Sequence, residues 1–167
     1  MLLAPEIEGC VTRPLEYGDT ALIQQAFDGD PVYFRAINGR DIAVEEICSA
    51  LPAGSSKADK YTFVIEREGK VVGMIDLIKG YPEPDIWYLG FLFISREHRG
   101  GTGRRALKGL CAWAKRQGAT ALRLGVVEPN LKARWLYATE GFVFLAMRDI
   151  DLATRRLRRT LVLQRLL

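Results

Sequence analysis

A chain of 167 residues, 49% hydrophobic and 26% charged, is long enough for one domain, 1–167, with a real core, and its balance excludes a disordered or fibrous protein. No apolar run approaches the roughly 20 residues that span a bilayer, and Met1–Cys10 lacks the basic and apolar regions of a secretion signal. Three irregularly spaced cysteines (Cys10, Cys48, Cys111) and one histidine form neither a disulfide framework nor a metal-ligand cluster, so a cytoplasmic, metal-free protein without a membrane partner is expected. The net charge of +4 hides a division. Residues 1–85 carry 15 acidic and 8 basic side chains, and residues 86–167 carry 5 and 16. The C-terminal half suits an anionic partner and the N-terminal half a cationic one, although a solvated surface accounts for the split equally well.

The chain has no internal repeats, and Pro52-Ala53-Gly54-Ser55-Ser56 reads as a loop rather than a domain boundary. Val11–Leu15 is a short strand. Asp19 or Thr20 caps a helix through Phe27, and Asp41 starts a second through about Leu51, each with apolar residues at helical spacing. Tyr61–Glu66 and Lys70–Ile78 form a hairpin around Arg67-Glu68-Gly69. Pro82 and Pro84 force a loop before Ile86–Ile94, an almost unbroken apolar run and therefore a central strand covered on both faces. Gly90 within it marks a bulge or a close backbone approach.

A helix from Thr102 or Gly103 to Arg116 or Gln117 buries Ala106, Leu107, Leu110, Cys111 and Ala114, and Gly118 stops it. Strand Ala121–Val127, helix Leu131–Thr139 and strands Phe142–Met147 and Thr160–Leu166 complete a mixed α/β domain with a strand–helix–strand crossover.

His98-Arg99-Gly100-Gly101-Thr102-Gly103-Arg104 joins the buried strand to the long helix. A helix N-terminus offers unpaired N–H groups and partial positive charge, glycines let a phosphate come close, and Arg99, Arg104 and Arg105 add full charges. The loop is no Walker motif, since no Lys-Ser or Lys-Thr follows, and it lacks the three-glycine dinucleotide spacing. A tight turn is the plain alternative.

Together with Phe91–Ile94 before it and the helix after it, this loop resembles the acetyl-CoA motif Arg/Gln-x-x-Gly-x-Gly/Ala of the GNAT family of N-acetyltransferases. Aligning Gly101-Thr102-Gly103 with Gly-x-Gly puts His98 at the first position, and aligning Arg99 leaves the loop one residue short. Asn130-x-x-Ala133-x-x-Leu136-Tyr137-x-x-x-Gly141-Phe142 resembles the family's second signature in the expected order.

The resemblance implies a mostly antiparallel sheet with helices on both faces, the acyl-CoA N-acyltransferase fold. Strand 87–94 would splay from 122–127 so that pantetheine fills the gap. It implies that acetyl-CoA is the co-substrate. Its site would comprise the backbone of Phe93, Ile94 and Ser95, the loop His98, Arg99, Gly100, Gly101, Thr102, Gly103 and Arg104, and then Asn130, Ala133 and Tyr137. Tyr137 would serve as general acid toward the leaving thiolate. Asn130 fits a helix cap as well as a cofactor contact, and Tyr137 fits plain ring packing. Asp76, Glu83 and Asp85, or Tyr88 through water, are candidates for the base, and water alone can serve. His98 reads as a loop or phosphate contact and Cys111 as core.

The expected activity is acetyl transfer to a primary amine. A small cationic amine drawn by Asp28, Asp30, Asp41, Glu45 and Glu46 comes first, and a protein N-terminus or lysine second. An acyl-CoA-binding regulatory module is the alternative. Arg155-Arg156-Leu157-Arg158-Arg159 is too short and too poor in aromatics to argue for nucleic acid, so no such partner is expected. Homodimer formation is open.

Overall fold

The computed structural model describes residues 3–150 and 158–167; Arg155, Arg156 and Leu157 of the basic cluster lie outside them. The elements run β1 (Val11–Pro14), α1 (Asp19–Asp28), α2 (Pro31–Asn38), α3 (Val44–Ser49), β2 (Lys60–Arg67), β3 (Lys70–Ile78), β4 (Ile86–Ile94), α4 (Thr102–Arg116), β5 (Ala121–Val127), α5 (Leu131–Thr139), β6 (Val143–Ile150) and β7 (Arg158–Leu166). The strands form one sheet in the order β1-β2-β3-β4-β5-β7-β6. Among these pairs β4 and β5, joined through α4, run parallel and the rest antiparallel, so the sheet is mostly antiparallel.

Strand alternation sends side chains to two cores. On one face Ile23 and Phe27 of α1, Phe34 of α2, and Val44 and Ile47 of α3 pack on Val64, Met74 and Phe93. On the other, Ala106, Leu107, Leu110, Trp113 and Ala114 of α4 and Tyr137 of α5 pack on Phe63, Ile65, Ile75, Trp87 and Leu122. Burying one such leucine stabilises the fold by about 1.5–3 kcal/mol. The fold therefore has helices on both faces, as the resemblance implied.

Two of the helix starts differ from the sequence reading, each for a local reason. Gly18, not Asp19 or Thr20, holds the cap position of α1. The Asp19 carboxylate instead accepts from Arg13 at 2.7 and 2.9 Å and from the Glu16 N–H at 2.7 Å. The helix expected from Asp41 starts at Val44, because Asp41 pairs with Arg35 of α2 while Glu46 turns back to accept the Ala43 N–H at 3.1 Å. Helix α2 itself is absent from the sequence reading.

Gly90 does sit in a bulge. Asp76 of β3 faces Phe91 and Leu77 faces Leu89, so Gly90 is the extra residue and shifts the phase of the strand. Trp87 and Leu89 face α4, whereas Phe91 and Phe93 face α1 and α2. There is no room for a side chain at Gly90, where a Cβ would stand 2.9 Å from Asp76 Oδ2. That carboxylate is fixed from behind by Lys60 Nζ at 2.6 Å and Thr62 Oγ1 at 2.9 Å.

Candidate active site

Pairing between β4 and β5 ends at Leu89 and Leu124. Beyond it β4 stays on β3 through Ile94, and β5 stays on β7 through Val127. The two strands therefore diverge just past the Gly90 bulge and leave a cleft in the middle of the sheet. Successive residues of a strand present their backbone groups to opposite edges. The Ser95 N–H donates to Val72 O at 2.7 Å, toward β3. By alternation Phe93 also faces β3, and Leu92 and Ile94 turn their polar groups into the cleft. The Ile94 carbonyl accepts from Arg99 Nε at 3.1 Å.

The cleft holds two compartments. The larger, of about 1030 Å³, runs from β4 over the glycine loop to α5. The smaller, of about 160 Å³, lies in the strand divergence beneath α2 and α3. Tyr33, Ile37, Leu92, Asn130, Ala133 and Tyr137 line both, so the two meet at these residues.

The loop supplies the donors of the larger compartment. Gly100 and Gly101 hold φ of 93° and 102°, a conformation that carries the chain from β4 into α4 without a side chain in the way. The first helical bond of α4 is Arg105 N–H to Gly101 O at 3.1 Å, and no side chain caps the helix. The amides of Gly103 and Arg104, both in the groove lining, are thus left for a ligand at a 15-residue helix's positive end. Arg96, Arg99, Arg104 and Lys132 line the same groove, with Asp30 its one acidic neighbour among the described residues. Arg99 Nη2 stands 2.7 Å from Asp30 Oδ2, a charge contact without hydrogen-bond alignment, and its guanidinium lies over the Tyr33 ring at 5.0 Å. Arg104 contacts Glu140 at 3.1 Å and stands over the Trp135 ring at 5.5 Å. A long groove with cations and free amides at one end, an apolar middle and a strand edge at the other fits a phosphorylated, pantetheine-like molecule.

Helix α5 supplies the polar groups at the junction. Asn130 Oδ1 accepts the Ala133 N–H at 3.3 Å and so caps the helix. Tyr137 is 9% exposed, its ring edge-on to Phe142 at 5.6 Å, and burial holds its phenol well above the usual tyrosine range. Burial also raises Tyr33, whose hydroxyl lies against Asn130, and ionising either tyrosine would oppose ionising the other. Both phenols therefore keep their protons at neutral pH.

Of the residues expected at the site, Phe93, Ile94, Arg99, Gly100, Gly101, Gly103, Arg104, Asn130, Ala133 and Tyr137 line the larger compartment. Ser95, His98 and Thr102 do not. Ser95 Oγ and His98 Nδ1 bond each other at 2.8 Å, and the wholly buried Thr102 accepts from Arg105 at 3.1 Å. Arg99 rather than His98 thus reaches the groove. Asp76, Glu83, Asp85 and Tyr88 do not line either of these two compartments. Asp76 is locked to Lys60, Asp85 accepts from Thr120 Oγ1 at 2.7 Å, and Tyr88 is pushed up to about 12 by burial against Tyr81. Cys111 is core.

The sequence reading missed Tyr33 and Ile37, which come from α2, together with Leu92, Lys132 and Trp135. Pro31 at the first helical turn and Gly39 in the left-handed conformation after the last were the available signals for α2.

Residues 24–142 match the model of the acetyltransferase (GNAT) family, which is well over half of the chain. An uncharacterised N-acetyltransferase of Bacillus subtilis (strain 168), YobR, is 36% identical over 72 residues, 42% of this chain but 27% of the relative, so the match spans about a quarter of that protein. The crystal structure of an acetyltransferase from Thermus thermophilus superposes with a TM-score of 0.74 at 24% identity over 99% of both chains. A GNAT family acetyltransferase from Elizabethkingia anophelis, solved with acetyl-CoA bound, gives 0.66 at 15% identity over 96% of this chain and 99% of that one. At such identities the structural likeness speaks for the fold, while the sequence match speaks for the family. The chain belongs to the acetyltransferase (GNAT) family.

Proposed function

We propose that this protein transfers the acetyl group of acetyl-CoA to a primary amine by direct attack within a ternary complex. The observation that carries the proposal is the junction of the two compartments at Tyr137: a phosphate-compatible groove on one side, and on the other a pocket of about 160 Å³, the size for a small acceptor. In this reading the amides of Gly103 and Arg104, with the side chains of Arg99 and Arg104, hold the pyrophosphate, and the cleft-facing backbone of Leu92 and Ile94 holds pantetheine. Acetyl-CoA supplies the activated acyl group.

The amine lone pair forms the new N–C bond at the thioester carbonyl, and the C–S bond breaks. An amide on the cleft edge of β4 meets the charge that develops on the carbonyl oxygen. Tyr137 gives its phenolic proton to the departing sulfur and is reprotonated from water, while the acetylated nitrogen loses its extra proton to solvent. No carboxylate lines the acceptor pocket among the described residues, which favours water as proton acceptor over a dedicated base.

The reading places the protein in the cytoplasm, in keeping with free Cys10, Cys48 and Cys111, and no helix among the described residues is long and apolar enough to cross a membrane. The small acceptor pocket suits a small amine ahead of a protein N-terminus or lysine. The expected attraction for a cationic amine is weakened, since Asp30 faces Arg99, Asp41 faces Arg35 and Glu46 faces Arg40.

Free-thiol release from acetyl-CoA, followed across a panel of amines, tests the proposal. Amine-dependent release that collapses in Tyr137→Phe is the expected result. Acetyl-CoA binding with no release on any amine would replace the enzyme by an acyl-CoA-binding module.

A further inference from the structure

The smaller compartment has a composition at odds with a cationic acceptor. Its apolar wall is built by Ile37, Ile42 and Ile47 on one side and Phe91 and Val126 on the other. Asn38 and Thr160 add neutral polar groups. Arg158, at the start of β7, is the one charged residue in the lining among the described residues. Its Nε is buried without a hydrogen-bond partner, and its guanidinium makes no ion pair among the described residues. Its neighbour Arg159 shows the contrast, facing Glu128 at 3.6 Å on the exposed side of the strand. A buried, unpaired guanidinium nitrogen is costly unless a ligand satisfies it, and its planar fork matches a carboxylate.

We propose that Arg158 anchors a carboxylate of the acceptor, and that the acceptors are small apolar amino acids. The inference rests on the acetyl-transfer reading above. With the carboxylate on Arg158, the apolar side chain lies on the isoleucine wall, and the amino group is left for the junction at Leu92 and Tyr137. A diamine would place a second ammonium in a pocket whose fixed charge is positive, and would desolvate it there without compensation. Asp30, Asp41 and Glu46, expected from the sequence to draw such an amine, are engaged with arginines instead.

The test compares leucine, leucinamide and putrescine as acceptors in wild type, Arg158→Gln and Arg158→Lys, each variant first checked for an unchanged unfolding midpoint. Leucine should exceed leucinamide in kcat/KM by roughly ten- to a hundredfold, the worth of a charge-assisted pair. That ratio should collapse toward one in Arg158→Gln and recover in part in Arg158→Lys. Leucinamide or putrescine outperforming leucine in wild type, or equal loss on leucine and leucinamide in Arg158→Gln, would overturn the proposal.

Calorimetry with N-acetylleucine and N-acetylleucinamide on the CoA-saturated protein separates the two layers of the argument. An Arg158-dependent preference for the acid, without turnover of any amine, sustains the carboxylate subsite and overturns the transferase reading. Absence of that preference overturns the subsite.

Discussion

Lys60→Met should cost this protein about 3–5 kcal/mol, the range for removing one partner of a buried ion pair. Lys60 and Asp76 contact at 2.6 Å with side chains 6% and 4% exposed. Lys60 Nζ also donates to Ile47 O at 3.1 Å and Ala50 O at 2.9 Å, so one ammonium ties the end of α3 to the carboxylate beneath the Gly90 bulge. Without it Asp76 keeps only the Thr62 hydroxyl, and its charge is stranded in the core. For a domain of this size about 2–4 °C accompanies each kcal/mol, which puts the fall in melting temperature at about 6–20 °C.

The sign of the pH dependence follows from Asp76. Burial already raises its folded pKa above the ordinary value, with Lys60 opposing. Loss of Lys60 raises it further, so the folded state holds a proton that the unfolded state releases. The destabilisation is therefore smallest toward the ordinary carboxylate range and grows as pH rises through the folded pKa. Differential scanning calorimetry of Lys60→Met at pH 5 and pH 8, beside Lys60→Met with Asp76→Asn, reads both effects. The double variant should recover at least half of the loss at pH 8. A loss under about 1 kcal/mol, or one equal at both pH values, would refute the reasoning, since such values belong to exposed pairs.

Tyr137→Phe should lower kcat by about 10²- to 10⁴-fold while acetyl-CoA still binds, as stopped-flow turnover and calorimetry would show. Because burial raises the Tyr137 phenol, wild-type kcat should stay level as pH passes about 10, where an ordinary tyrosine ionises; a fall there would contradict its role. Gly101→Val puts a β-branched residue at φ 102° with its Cβ 3.3 Å from Arg105 Nη1, and should cost about 1–2 kcal/mol in denaturant melts and weaken acetyl-CoA binding. Arg99→Ala leaves the buried Asp30 without its arginine; because Arg99 itself is 39% exposed, the loss is limited to about 1–3 kcal/mol, and the salt dependence of acetyl-CoA affinity should fall in titrations.

What the sequence revealed and what it hid divide along the range of the interactions. The apolar run of β4, its interior Gly90 and the glycine loop before α4 are local patterns, legible before any fold is known, and in the structure all three border one cleft. Helix α2 is only eight residues long, and its single fully buried residue, Phe34, gives little periodicity to read. Its Tyr33 and Ile37 therefore went unseen, although they form part of both compartments. The Lys60–Asp76 lock spans 16 positions, and Arg158 joins Tyr137 only because β7 inserts between β5 and β6. Spacing does not encode such meetings. Conversely, the acidic residues of the N-terminal half looked like a lure for cations because sequence shows charges but not their partners.

The most direct test of the central claim is the unfolding midpoint with and without acetyl-CoA, beside ATP and NADH. At 100 times its dissociation constant a ligand adds about 2.7 kcal/mol, or about 5–11 °C for a domain of this size. A shift of that order with acetyl-CoA alone is the predicted result. No shift in folded protein, or an equal shift with ATP or NADH, would contradict the assignment of the groove.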